Sequence, residues 1–176
     1  MLKGIGICCT LLGAIGCCFS MIHELDIKKK CLQQLLWILE MLEVEIHYSR
    51  STLAEACIQI GQKAGTGKRD PILKLPEQIG LYCQEQDRAV FATEWKAVWK
   101  PFLKQCYFSE NESEILATFP VHTGFLNGEM QENAIQGYRK SVTGMFVEAE
   151  NSFNMKKKLI LSFGLCGSLL LVILLL

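Results

Sequence analysis

The chain lacks most of what would mark an enzyme or a nucleic-acid binder. Its nine cysteines include no C-x-x-C pair and no metal-type spacing. Its three histidines, His23, His47 and His122, stand far apart in sequence with no H-E-x-x-H. The familiar zinc and thiol-redox motifs are therefore excluded, and no pattern asks for a cofactor. Between Tyr107 and Tyr138 there are five glutamates and no lysine or arginine. Residues 31–155 carry 11 basic and 16 acidic side chains, a net of −5, the wrong sign for gripping phosphates but suited to a basic protein partner. No stretch alternates convincingly at period two, so no sheet is expected. Two stretches, residues 4–22 and 159–176, lack charge altogether.

The second of these, LILSFGLCGSLLLVILLL, would be roughly 27 Å long as a helix, close to the roughly 30 Å hydrocarbon core of a bilayer. It shows no amphipathic pattern, and in lipid only a helix satisfies its own backbone, so a transmembrane helix is expected. Lys156, Lys157 and Lys158 precede it. Lysines stay on the cytoplasmic side, which places the preceding residues in the cytoplasm and Leu176 outside. The first run, GIGICCTLLGAIGCCFSMI, follows Lys3 and is followed by Lys28, Lys29 and Lys30. Three lysines outweigh one, so the N-terminus is expected outside. Both ends thus agree on an extracytoplasmic stretch 1–3, a transmembrane helix 4–22, a cytoplasmic domain 23–158 and a transmembrane helix 159–176. Gly6, Gly13 and Gly16 would let another helix approach, although glycine is common in membrane helices anyway. Lipoprotein-type cleavage at Ala14-Ile15-Gly16-Cys17 is the competing reading. It would put both lysine triplets on the wrong side and a mainly free-thiol domain in oxidising surroundings. Cys8, Cys9, Cys17, Cys18 and Cys166 fall in the two runs, and Cys31, Cys57, Cys83 and Cys106 are scattered singly. They read as small hydrophobes in a reducing compartment.

Between the runs the period is helical. Leu32, Leu35, Leu36, Leu39, Leu42 and Ile46 fall at three- and four-residue steps, predicting a helix over 31–48 that continues the first span. Glu40, Glu43 and His47 lie on or near its other face. Ser49-Arg50-Ser51 ends it. Thr52-Leu53-Ala54-Glu55 has the form of a capping box and opens a second helix to about Lys63. Asp70-Pro71 is set to cap and begin a third, which Pro76 kinks or interrupts. Asp87 caps a fourth, with Phe91, Trp95, Val98, Trp99 and Phe102 at core-like spacing and Pro101 near its end. Ser109-Glu110-Asn111-Glu112 is a second capping box, opening a fifth helix with Ile115, Leu116 and Phe119 inward until Pro120 disturbs it. After a turn at Asn127-Gly128, a helix runs from about Glu129 to the C-terminus without proline, through Met130, Ala134, Tyr138, Met145 and Ala149. It would be on the order of 70 Å long. The expected fold is all-α: a small cytoplasmic helical bundle of about five to six helices between an N-terminal and a C-terminal transmembrane helix.

Gly65-Thr66-Gly67-Lys68-Arg69 invites a phosphate-loop reading that the residues refuse. Gln62 stands where the first glycine belongs, Arg69 replaces the Ser/Thr, and a helix precedes the loop. Glu43 and Glu45 could suggest an acid–base pair, but residues two apart on a helix point to different faces. They read as solvated carboxylates or as a partner contact. Glu110, Glu112 and Glu114 favour the start of their helix through its dipole.

Glu43-Val44-Glu45-Ile46-His47-Tyr48 followed by Thr52-Leu53-Ala54-Glu55-Ala56 resembles the stage III sporulation protein AB family, which has an E-I-x-Y segment and then a T/P-L-x-E-A segment at this spacing. The Phe91 to Trp99 stretch, Phe119, Gly124, Glu129-x-Gln131, the length and the span–domain–span layout match as well. Pro120 stands where the family tends to have Gly, Asn127 where it tends to have Asp, and nine cysteines are unusual; the first two departures fall in the turn around residues 120–128. The resemblance implies a non-enzymatic bundle similar to the cytoplasmic platform domains of type II secretion and type IV pilus inner-membrane proteins. It implies a place in the mother-cell-derived membrane around the forespore, in a channel complex required for sporulation. The implied partners are the secretion-type ATPase of the same operon and other channel membrane proteins, with Glu43, Glu45, Tyr48, Leu53 and Glu55 as candidate contacts. The alternatives are a generic membrane-anchored adaptor, or a membrane-bound enzyme or transporter subunit, although neither run holds the ionisable residue a transport path would need.

Overall fold

Residues 2–49 contain no proline, and they form one helix, α1 (Leu2–Ser49), about 70 Å long. The computed structural model describes residues 2–49, 53–64, 75–81, 99–118 and 128–175. Among these, α1 is followed by α2 (Leu53–Ala64), α3 (75–81), α4 (99–105), α5 (Glu110–Ala117) and α6 (Gly128–Leu175), with no strand. The all-helical expectation is met. The box at Thr52, the caps at Asp70 and Asp87, and Phe91, Trp95, Phe119 and Gly124 lie outside the described residues.

The chain divides into two units, Lys30–Phe146 and the pair of segments Met1–Lys29 with Val147–Leu176. The first is narrower at both ends than the domain 23–158 read from the sequence. Its core is built from helical steps. Leu32, Leu35, Ile38, Leu39, Leu42 and Ile46 of α1 are buried, as are Leu53, Ala56, Cys57 and Ile60 of α2. Leu75 and Ile79 of α3, Trp99, Phe102 and Leu103 of α4, Cys106, Leu116 and Ala117, and Ile135 and Val142 of α6 complete it. Each large apolar side chain buried in this way contributes about 1.5–3 kcal/mol. The core stripe of α1 takes Ile38 in place of Leu36, which is only half-buried. Ile115 points outward, 45 % exposed, so α5 uses Leu116 and Ala117 instead. Met130 is likewise exposed, and α6 presents Ile135 and Val142, two turns apart, to the core.

Local chemistry fixes the ends of these helices. Ser109 Oγ accepts from the Glu112 N–H at 3.4 Å, and the Ser109 N–H donates to Glu112 Oε2 at 2.9 Å, the capping box read from the sequence. At the other end, the Thr118 hydroxyl donates to the Ile115 carbonyl at 2.6 Å. After α4 the chain turns through Tyr107 at φ 59°, while the Phe108 N–H reaches the Leu103 carbonyl and the Tyr107 N–H the Lys104 carbonyl. That is a helix stop of the kind glycine usually supplies; here an exposed tyrosine does so. Pro76 sits in the first turn of the described part of α3 rather than breaking it.

In the other unit, small residues bring α1 and α6 together. The Cys18 thiol donates to the Ile160 carbonyl at 3.6 Å, and a Cβ added to Gly164 would collide with the Cys18 sulfur. Gly6, Gly13 and Gly16 have nothing within 4 Å of where a Cβ would stand, so among the described contacts the close approach falls at Gly164. Lys29 pairs with Glu150 at 3.0 Å, and the ammonium groups of Lys29 and Lys157 lie 5.5 and 5.7 Å from the Phe153 ring centre. Among the described residues, no helix is long and apolar enough to cross a membrane. Both uncharged runs include side chains outside the description, so the expected spans rest on the sequence.

Candidate partner-binding site

The last three turns of α1 carry Glu43, Glu45, His47 and Tyr48. The helix repeat sends Glu43 and Glu45 to opposite sides, and each meets a cation from a different element. Glu43 pairs with Arg139 of α6 at 3.1 Å, and Glu45 approaches Lys63 of α2 at 3.8 Å. His47 Nδ1 lies 3.2 Å from a Glu132 carboxylate oxygen of α6. The two glutamate side chains are less than one-fifth exposed, whereas Lys63 is 69 % exposed. These pairs therefore tie α1 to its neighbours, each worth at most about 1 kcal/mol in so open a setting.

The other candidates part company. Leu53 is buried in the core, which gives its motif position a packing reason. Tyr48 is 80 % exposed, its ring edge-on to His47 at 5.0 Å. Glu55 is exposed on α2. Of the topology lysines, Lys30, Lys156, Lys157 and Lys158 are exposed, and Lys28 and Lys29 half-buried. Two close approaches mark the crossing of α2 and α3. A Cβ on Gly61 would fall 2.6 Å from the Glu77 nitrogen, and one on Gly80 would fall 2.7 Å from the Ala54 carbonyl oxygen. Glycine at both positions is what lets α2 and α3 lie this close.

Beside Glu40 an open groove of about 360 Å³ runs to α6, lined by Leu36, Glu40, Arg139, Lys140 and Thr143. Among the described residues no cluster of three or more His, Cys, Asp or Glu side chains could hold a metal ion. A hydrogen bond from the Cys31 thiol holds the Cys106 thiol below its usual pKa against the opposing pull of burial; Cys31, Cys57 and Cys106 are buried in the core and form no disulfide. Deeper in the bundle the Tyr138 hydroxyl donates to the Leu116 carbonyl at 2.8 Å, and burial pushes its pKa well above the usual phenol value.

The sequence signal missed Arg139, Lys63 and Glu132, the partners inside the bundle. Each lies on another helix, and periodicity along one helix says nothing about what faces it.

Comparison with curated proteins and with solved structures gives no match. The family model for stage III sporulation protein AB matches residues 3–176, which include the whole helical bundle and both uncharged runs. On that extent of agreement, the chain belongs to the stage III sporulation protein AB family.

Proposed function

We propose that this protein is the membrane-anchored platform of a sporulation channel: two spans fix a helical bundle at the cytoplasmic face, and the bundle docks a secretion-type ATPase. The observation that carries the reading is the family match over residues 3–176. It embraces the uncharged runs, the flanking lysine triplets and the bundle as one unit. The chemistry of the bundle supports it. Glu43 and Glu45 of α1 are engaged with cations, Cys31, Cys57 and Cys106 are packed in the core, and an open groove runs beside Glu40. Such a body supplies surfaces for holding other proteins in place. Its activity is mechanical: it positions the ATPase at the membrane and passes on, or resists, its movement.

The deciding experiment is crosslinking of the tagged full-length chain in sporulating cells, with the captured peptides identified by mass spectrometry. A secretion-type ATPase linked through residues 31–155 is the expected result. Extracytoplasmic partners captured through that same region would overturn both the topology and the platform role.

A further inference from the structure

Two thiols from distant parts of the chain meet in the bundle core. Cys31 stands on α1 one position before Leu32, and Cys106 directly follows α4. Both are buried, both belong to the Lys30–Phe146 unit, and neither is in a disulfide. The Cys31 thiol donates a hydrogen bond to the Cys106 sulfur. A cysteine that merely fills space needs no second sulfur beside it. Cys57 shows the ordinary case: it lines a small void with Leu35, Leu42, Leu75 and Trp99. The bond from Cys31 favours the thiolate of Cys106, which is the form that attacks oxidants.

The backbone at Cys106 supplies a way in. Its N–H is shared between the Phe102 and Leu103 carbonyls, each at 3.2 Å. The next two N–H groups, of Tyr107 and Phe108, reach the Lys104 and Leu103 carbonyls at 3.5 and 3.4 Å. Tyr107 is exposed and holds φ 59° without being glycine, a strained conformation for a residue with a side chain. A helix end held by long bonds and one strained residue opens locally at little cost. Such an opening admits a molecule as small as hydrogen peroxide.

We propose that Cys31 and Cys106 form a redox latch, which hydrogen peroxide closes into a disulfide joining the end of α4 to α1. The Cys106 thiolate attacks one peroxide oxygen, the O–O bond breaks, and hydroxide leaves and takes up the Cys106 proton as water. The product is a sulfenic acid on Cys106. The Cys31 sulfur then attacks the Cys106 sulfur. An S–S bond forms, the S–O bond breaks, and the hydroxide leaves with the Cys31 proton as a second water. Two thiols have lost two electrons, and one peroxide has become two waters. A dithiol reductant reverses the link by exchange. In a reducing compartment a disulfide of this kind is transient and sensing rather than permanent. The inference does not rest on the platform reading.

The test treats the detergent-solubilised full-length chain with hydrogen peroxide, blocks the remaining thiols with N-ethylmaleimide and maps disulfide-linked peptides by mass spectrometry. The expected result is a Cys31–Cys106 link that dithiothreitol removes, formed in the folded chain and raising its melting temperature by about 10 °C. Cys31→Ser should abolish the link and the shift, and should leave a sulfenic acid on Cys106 that dimedone traps. Cys106→Ser should abolish the link and give no dimedone adduct at Cys31. Cys57→Ala should leave the yield of the link unchanged. Circular dichroism checks that each variant keeps its helical content, and Cys31→Ala replaces Cys31→Ser if the hydroxyl disturbs the fold. No link in the folded chain, a link formed only in denaturant, Cys57 linked as readily as Cys31, or a dimedone adduct on Cys31 in place of Cys106 would each overturn the proposal.

Discussion

Tyr138 is the side chain whose chemistry sets a measurable limit on the bundle. Its hydroxyl donates to the Leu116 carbonyl, joining α6 to α5, and burial favours the neutral phenol over the phenolate. The folded-state pKa is therefore raised above the unfolded value of about 10. A raised pKa contributes stability that is complete below the unfolded value and is lost as pH rises past it. Denaturant melts of the detergent-solubilised chain should be indifferent to this group up to about pH 10. Above it, stability should fall by about 1.4 kcal/mol per pH unit. Tyr138→Phe should cost about 1 kcal/mol at pH 7 through the lost hydrogen bond and should remove that part of the alkaline slope. An alkaline slope identical in the variant would contradict the assignment. Nothing in the sequence announced this: Tyr138 was legible as one more apolar position on a helix, while its partner is a backbone carbonyl 22 residues away.

At the scale of elements, the clearest forecast concerns the crossing of α2 and α3. Gly61 and Gly80 face backbone atoms of the opposite helix at distances no Cβ tolerates. Gly61→Ala and Gly80→Ala should each destabilise the bundle by about 1–3 kcal/mol, since the clash is with main chain and cannot be relieved by turning a side chain. Gly137 and Gly144 of α6 are exposed with open space around them. Alanine at either should instead stabilise by about 0.5–1 kcal/mol through helix propensity. Opposite signs in thermal melts of the four variants check the crossing; equal signs would refute it. Helices were the most legible level of the sequence, because periodicity, capping boxes and the lack of proline are local. The Ser109 box was read correctly in every atom that matters, and the unbroken α1 followed from continuity of pattern. What faces what was not legible. The inward reading of Ile115 failed while that of Leu116 held, because two adjacent apolar residues on one helix leave the choice of face to a neighbour that the sequence does not name.

For the whole molecule, the outstanding question is where the bundle sits, and the lysine triplets give it a definite answer to test. Lys28–Lys30 and Lys156–Lys158 flank the two uncharged runs on their bundle sides. If positive charge holds those sides in the cytoplasm, the two ends of the chain lie across the membrane from the bundle. An alkaline phosphatase domain, which matures only outside the cytoplasm, should then be active when fused after Leu176 and inactive when inserted at exposed Asn111 on α5. A fluorescent protein that matures only in the cytoplasm should give the complementary pattern. Replacing Lys156, Lys157 and Lys158 by glutamine should lower the phosphatase activity of the C-terminal fusion, because the orienting charge is gone while the apolar run is unchanged. The two triplets flank separate uncharged runs, so the same replacement should leave the position of the N-terminus as it was. Phosphatase activity from the Asn111 insertion would place the bundle outside, where the acidic face of α1 would meet an extracytoplasmic partner and a cytoplasmic ATPase could not reach it.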